Sequence, residues 1–165
     1  GGYDYLKPEA EAVWWIPVSR RTGFGLRANG GWLRTFGSTS STSLPYYFRY
    51  FLGGDQQIRG VDIRTVGPVD SGNRALGGNK FALFNAEYYV DLFGPVRLVF
   101  FHDAGQAFAE SERVNLRNLR TSSGAELRFM MPVLNVPFRL IYALNTYRDT
   151  FQPAHSFRFS VGTTF

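Results

Sequence analysis

Apolar and polar residues alternate along most of the chain with the period of two that is typical of β-strands. In "KFALFNAEYYV", "PVRLVFFHDAGQAF" and "TSSGAELRFM", one parity is almost purely hydrophobic, while the other carries the charged residues together with Gly and Ser. The runs "YLKPEAEAVWWIPV", "TGFGLRANGGWLRTF", "PFRLIYALN" and "SFRFSVGTTF" follow the same rule. The pattern predicts seven antiparallel strands, and the aromatic segment "YYFRYFL" is a candidate for part of an eighth.

The connections between these runs are of two kinds, which alternate along the chain. The segments "SRRTG", "DLFGP" and "PVLNVP" are short and rich in Gly, Pro or Asn, as tight turns are. The segments "AESERVNLRN" and "NTYRDTFQPAH" are longer and polar, and the longest connection covers about residues 37–80. Alternating tight turns and long loops are typical of outer-membrane β-barrels, whose periplasmic turns are short and whose outer loops are long.

Composition favours a membrane barrel over the alternative, a soluble β-sandwich. Aromatic residues make up 17% of the chain, yet its mean hydropathy is −0.17, a combination that arises when lipid-facing and polar positions alternate. Of the 18 Lys and Arg residues only Lys7 and Lys80 are lysines, whereas the open-solvent face of a sandwich carries several. No window approaches the roughly 20 apolar residues of a membrane helix.

The charge distribution and the missing residue types exclude several other classes. The arginines are dispersed singly rather than clustered, which argues against a nucleic-acid-binding face. Cysteine is absent, which excludes a disulfide framework and a thiolate metal site. Seven or eight strands make at most a minimal barrel, and no signal peptide is visible. We therefore expect residues 1–165 to be an outer-membrane β-barrel domain that is the C-terminal part of a larger barrel.

Four segments resemble one family in the same order along the chain. They are "GGDQQIRGVDIRTVGP", "GGNKFALFNAEYYV", "FFHDAGQAF" and the terminal "FRFSVGTTF". Together they resemble the C-terminal barrel half of the BamA/TamA outer-membrane assembly superfamily, which also contains two-partner-secretion pores and organelle import pores. The resemblance covers about two thirds of the chain, from the central loop to Phe165.

The resemblance implies a role for the charged central loop. In the family this loop folds back into the lumen, and the arginine of its Arg-Gly motif contacts acidic residues of the next two strands. Arg59 and Gly60 match that motif, Glu87 matches the acid of the first strand, and Asp103 with Gly105 matches the Asp-x-Gly element of the second.

The alternation agrees with this implied contact, because Glu87 and Asp103 both fall on the polar, luminal parity. Two carboxylates can share the donors of one guanidinium, and an unpaired member would be costly in a low-dielectric lumen. Gly60 would let the backbone turn tightly beside the contact. The family usually has an aromatic after Arg-Gly, but this chain has Val61. Without the resemblance, the sequence favours a solvated loop charge for Arg59, and a purely structural role is the alternative for the cluster.

The final run carries the second candidate feature. Its alternate aromatics Phe157 and Phe159, with Gly162 and the terminal Phe165, resemble the signal by which assembly machinery recognises outer-membrane proteins. The alternative is an ordinary lipid-facing strand with an aromatic anchor at the interface. We expect this last strand to cover residues 156–165, with Phe165 on the lipid-facing parity.

The resemblance implies an outer-membrane protein that folds client barrels into the membrane through a seam between its first and last strands. The alternatives are a polypeptide-secretion pore of the same superfamily and a passive structural or diffusion barrel. The implied partners are outer-membrane lipid, unfolded outer-membrane or secreted proteins as clients, and accessory assembly proteins.

Enzymatic activity is not expected from this sequence. The chain has two histidines, His102 and His155, and neither a nucleotide-binding loop pattern nor a nucleophile elbow. An arginine beside Glu87 and Asp103 would hold both carboxylates ionised, which does not suit general acid chemistry. No metal, organic cofactor or nucleic-acid partner is expected.

Overall fold

The structure, a computed structural model, describes residues 2–40 and 43–165, and they form an all-β fold. Seven strands make one antiparallel sheet in the order β2-β3-β5-β6-β7-β8-β9, and β1 pairs with β4 in a separate two-stranded sheet. The strands are β1 (Tyr5–Leu6), β2 (Glu9–Pro17), β3 (Thr22–Trp32), β4 (Arg34–Thr35), β5 (Lys80–Phe93), β6 (Val96–Phe108), β7 (Arg120–Met131), β8 (Val136–Tyr147) and β9 (His155–Val161). The seven strands predicted from alternation are confirmed.

Two details of that prediction were wrong. The segment "YYFRYFL" forms a 3-10 turn, Tyr46–Phe48, followed by isolated bridges from Tyr50 to Gly78 and from Leu52 to Val66. Its backbone therefore bonds within its own loop and adds no strand to the sheet. The last strand ends at Val161 instead of residue 165.

Short and long connections alternate as expected. Residues 18–21, 94–95 and 132–135 join strands at one end of the sheet, and residues 109–119 and 148–154 join them at the other. The tight turns use left-handed backbone at Gly94 (φ 52°) and Asn135 (φ 53°). The long connection before β5, residues 36–79, is called the inner loop below; positions 41 and 42 within it lie outside the described residues.

The two faces of the sheet differ as the alternation predicted. The inner face, on which the inner loop packs, holds most of the buried polar side chains of the sheet, whereas the outer face exposes large apolar side chains. On β6, for example, Phe100 is 50% exposed, while the next residue, Phe101, is 5% exposed. An exposed apolar outer face is what a lipid-facing barrel wall requires.

The inner face also carries an apolar cluster that closes the inner loop onto the sheet. Leu52, Ile58 and Val66 of the loop pack with Leu83 of β5 and Ala107 of β6. The loop thus has a hydrophobic core of its own, which fixes its position above the polar side chains.

Within residues 2–40 and 43–165, β2 and β9 do not pair with each other, so the sheet is open. No helix of this part of the chain is long and apolar enough to cross a membrane.

Candidate functional site

The inner loop delivers Arg59 to the sheet through a compact turn. The amide N–H groups of Gln57 and Ile58 both donate to the carbonyl oxygen of Gly54, each at 2.9 Å. Gly53 (φ 116°) has left-handed backbone, and a Cβ there would lie 2.2 Å from the Asp62 carbonyl oxygen. Glycine is therefore required where the two arms of the loop lie side by side.

Arg59 contacts carboxylates from three neighbouring strands. Its Nε and Nη2 donate to Oδ2 and Oδ1 of Asp103 at 2.8 and 2.7 Å, and its backbone N–H donates to the same Oδ2 at 3.0 Å. Its Nη1 donates to Glu87 Oε1 at 2.6 Å and to Glu126 Oε2 at 3.2 Å. The structure thus brings together the predicted Arg59, Glu87 and Asp103, and it adds Glu126 of β7.

The Arg59 side chain is fully buried. Its guanidinium carbon lies 3.9 Å from the centroid of the Phe101 ring, and Ser122 Oγ donates to its carbonyl oxygen at 2.6 Å. Burial acts to lower the pKa of Arg59, but Asp103, followed by Glu87 and Glu126, raises the pKa above its ordinary value. The arginine therefore remains charged over the whole accessible pH range.

Two further arginines complete the charge balance. Arg139 donates through Nε and Nη2 to both oxygens of Glu126, at 2.8 and 2.7 Å. Arg128 donates to Glu126 Oε1 at 2.6 Å and to Glu87 Oε1 at 3.1 Å. Three arginines thus face three carboxylates, all of them buried. We call this neutral set of six the charge lock: Arg59, Glu87, Asp103, Glu126, Arg128 and Arg139.

The charge lock satisfies the condition under which buried charges persist. Each guanidinium of the set has at least two carboxylate bonds, including the fork geometry of Arg59 on Asp103 and of Arg139 on Glu126. Loss of one member would leave an uncompensated buried charge, which typically costs about 3–5 kcal/mol. The geometry of the charge lock holds the inner loop against the strands.

Gly60 and Gly105 allow the close approach of loop and sheet. Gly60 has φ 80°, and a Cβ there would lie 2.3 Å from the Cβ of Ala143 on β8. Its carbonyl oxygen accepts from Asn145 Nδ2 at 3.0 Å. A Cβ at Gly105 would lie 3.0 Å from Ile58 Cδ1, so this glycine makes room for the loop's apolar side chain.

Val61, the position at which the family usually has an aromatic residue, is 1% exposed and belongs to the apolar cluster of the inner loop. In this chain, the smaller valine side chain therefore occupies the position of the family's aromatic residue.

The predicted residues of the last strand separate into two groups. Phe157 and Phe159 lie on the outer face, 71% and 62% exposed. Beyond Val161 the chain leaves the sheet at Gly162 (φ 105°), and the Phe165 ring stacks on Trp15 with centroids 5.4 Å apart. Trp15 packs over Gly25 of the inner face, so the expected lipid-facing position of Phe165 was wrong. The role of these four residues as a recognition signal stays a prediction.

Sequence reasoning left several partners out of the site. Glu126, Arg128 and Arg139 lay on the predicted luminal parity. That parity is the sequence signal by which they could have been included in the site. Thr164 also lay on the luminal parity of the last run, but the local sequence does not indicate its contacts with Arg27 and Arg139, because these arginines lie on distant strands.

Within the described part of the chain, no three His, Asp or Glu side chains are grouped as metal ligands. His102 lies on the outer face of β6, where its Nδ1 is 2.7 Å from Ser123 Oγ. It is therefore apart from the charge lock.

Comparisons with known proteins agree with this architecture. The chain is 31% identical over its full length to the outer membrane protein assembly factor BamA of Nitratidesulfovibrio vulgaris, and it covers 21% of that protein. It is 25% identical, over 98% of its length, to BamA of Neisseria meningitidis, of which it covers 24%. The chain thus spans between a fifth and a quarter of these relatives.

The fold matches the crystal structure of Haemophilus ducreyi BamA lacking POTRA domains 1–3, with a TM-score of 0.77 and 18% identity. The match covers 97% of this chain and 35% of that one. Residues 1–165 also match the Omp85 superfamily domain throughout. The chain therefore belongs to the Omp85 superfamily of Gram-negative outer-membrane proteins and forms a C-terminal part of the family's barrel.

Proposed function

We propose that this chain is the C-terminal part of the barrel of an outer-membrane protein assembly factor, and that it brings unfolded client barrels into the membrane along the free edge of β9. The relatives that it resembles over its full length bear the name of assembly factor. Because the chain spans only part of their length, the activity is that of the whole protein, with accessory assembly proteins as further partners.

The observation that carries the proposal is the hydrogen-bonding pattern of β9. The N–H of Asn145 donates to the Ala154 carbonyl at 2.8 Å, and the N–H of Gly162 donates to the Pro137 carbonyl at 3.0 Å. In an antiparallel ladder such bonded positions recur at every second residue. The even-numbered residues of β9 therefore bond to β8, and the odd-numbered ones, including Phe159, direct their N–H and C=O groups to the other edge.

That edge has no partner strand among the described residues. A row of unpaired N–H and C=O groups is a template to which an extended segment can add as a further strand. β9 is also short, with seven residues against 14 in β5, so separating it from a neighbour would break few hydrogen bonds. These properties suit a seam that opens to receive a client strand.

The charge lock would hold the barrel wall in shape while the seam opens. It joins β5, β6, β7 and β8 to the inner loop, whereas β9 contacts the loop through Arg158, which donates to Gly60 and Asp62. We propose no catalytic role, because the three buried carboxylates are all bound by arginine.

The test uses the full-length protein in phospholipid vesicles with an unfolded client barrel. Phe159→Pro removes one N–H from the free edge and leaves the ladder to β8 intact, as proline is tolerated on edge strands. Phe159→Val is the matched control, because it also removes the ring but keeps the N–H. We expect Phe159→Pro to slow client insertion about ten-fold and Phe159→Val to insert at nearly the wild-type rate.

Wild-type insertion by a folded Phe159→Pro variant would contradict the proposal. Ion or polypeptide flux that does not depend on a client, without any insertion of client barrels, would instead support the secretion-pore or passive-barrel alternatives.

A further inference from the structure

The four residues that follow β9, Gly162–Phe165, form a segment that we call the tail. Its first residue still donates its N–H to Pro137, and its left-handed φ of 105° then turns the chain out of the sheet. Pro137 has no N–H to return, so the ladder between β8 and the last strand loses a bond at this point. The tail therefore leaves the sheet and packs on the inner face.

Two arginines from well-separated strands hold the tail. Arg139 of β8 donates through Nη2 to Thr164 Oγ1 at 2.6 Å, and Arg27 of β3 donates through Nη1 to the Thr164 carbonyl at 3.1 Å. The stack of Phe165 on Trp15 of β2 adds an aromatic contact. The tail thus reaches from the last strand of the sheet to the first two.

The same two arginines hold the inner loop. Arg139 Nη1 donates to the Asp55 carbonyl at 3.1 Å, and Arg27 Nη1 donates to the Gln56 carbonyl at 3.2 Å. Arg139 is also bound to Glu126 of the charge lock, which in turn accepts from Arg59. The inner loop and the tail therefore share two guanidinium groups, and one of them, that of Arg139, belongs to the charge lock.

We propose that the tail and the inner loop dock cooperatively, with Arg27 and Arg139 as the positioning residues that couple them. Each guanidinium is held in its plane by acceptors from both segments, so removing the loop carbonyls frees the donors and admits water that competes for Thr164. Release of the tail removes acceptors from the same donors and weakens the binding of the inner loop to the sheet. A movement of the inner loop would thereby release the tail at the end of β9, beside the proposed seam.

The inference goes beyond the proposed insertion activity, because it is tested by distances within the protein. Spin labels are placed on the full-length protein at two exposed positions, Thr163→Cys on the tail and Arg20→Cys on the turn between β2 and β3. Thr164→Val keeps the side-chain shape but removes the acceptor of Arg139. We expect the population with a released tail to rise roughly ten-fold, as loss of a hydrogen bond to a charged group implies.

Coupling requires the effect to be reciprocal. A second label pair, Ile63→Cys on the exposed loop tip and Arg113→Cys on the loop between β6 and β7, reports the position of the inner loop. Thr164→Val should also broaden the distribution of distances between these two labels. Conversely, Arg59→Lys, which keeps the positive charge but loses the fork on Asp103, should release the tail.

The matched control is Thr146→Val, which removes a similar hydroxyl that bonds to Thr121 on the outer side of β8, away from the tail and the inner loop, and should leave both distances unchanged. If Thr164→Val frees the tail while the loop distance stays at the wild-type value, the coupling is refuted. A variant with a displaced loop and an undisturbed tail would refute it equally. Either result would leave the insertion proposal standing, since that is measured by client insertion.

Discussion

Arg59 is a buried charge whose lost hydration is compensated by hydrogen bonds to its neighbours. Its side chain is fully buried, yet each of its three guanidinium nitrogen atoms donates to a carboxylate, and its backbone is held by Asp103 and Ser122. Hydrogen bonds between ionised groups are among the strongest in proteins, and they compensate for lost hydration only when every charge is matched. The charge lock meets that condition, so removing any one of its residues is expected to destabilise the protein by leaving its partners uncompensated.

Gly60 provides a separate test at this scale. Gly60→Ala would place a methyl group 2.3 Å from the Ala143 Cβ at a φ of 80°, so we expect the free energy of unfolding to fall by about 1–3 kcal/mol. Urea unfolding of the full-length protein in vesicles measures this loss. Adding Ala143→Gly should recover the steric part of it, whereas an unchanged unfolding midpoint for Gly60→Ala would contradict the close approach.

At the scale of elements, local alternation was sufficient to predict the seven strands and their two faces. The contact of Arg59 with Glu87 and Asp103 required the family resemblance, and the parity of the two acids supported it. Neither could predict the course of the inner loop, because its bonds join distant residues such as Leu52 and Val66.

The end of β9 shows the same limit. "SFRFSVGTTF" alternates to its last residue, which predicted a strand through Phe165. The structure ends the strand at Val161, since the residue opposite Gly162 is Pro137, and Thr164 accepts hydrogen bonds from arginines of the inner face. The groups that end the strand and bind the tail lie on other strands, so the local alternation cannot predict them.

The whole molecule is a wall with an apolar outer face and a polar inner face that is covered by its own loop. Membership of the Omp85 superfamily places this wall in the outer membrane, with its exposed aromatic and aliphatic side chains against lipid. The stability of the assembly therefore depends on the bilayer as well as on the charge lock.

Leu26 tests the orientation of the wall. It lies near the middle of β3 on the outer face, where an arginine would be placed in the hydrocarbon layer. We expect Leu26→Arg to lower the free energy of unfolding in vesicles by about 2–4 kcal/mol. Leu116→Arg, an equal change at an exposed position in the loop between β6 and β7, should have little effect, and equal losses would contradict the assigned faces.

The central claim, that Arg59 locks the inner loop to the barrel wall, is tested most directly by a double-mutant cycle. The free energy of unfolding of the full-length protein in vesicles would be measured for Arg59→Ala, Asp103→Ala and the double variant. We predict losses of about 3–5 kcal/mol for each single change, and a double loss smaller than their sum by about 1–3 kcal/mol, because both remove one shared contact. Strictly additive losses would show that Arg59 and Asp103 act independently and would contradict the lock.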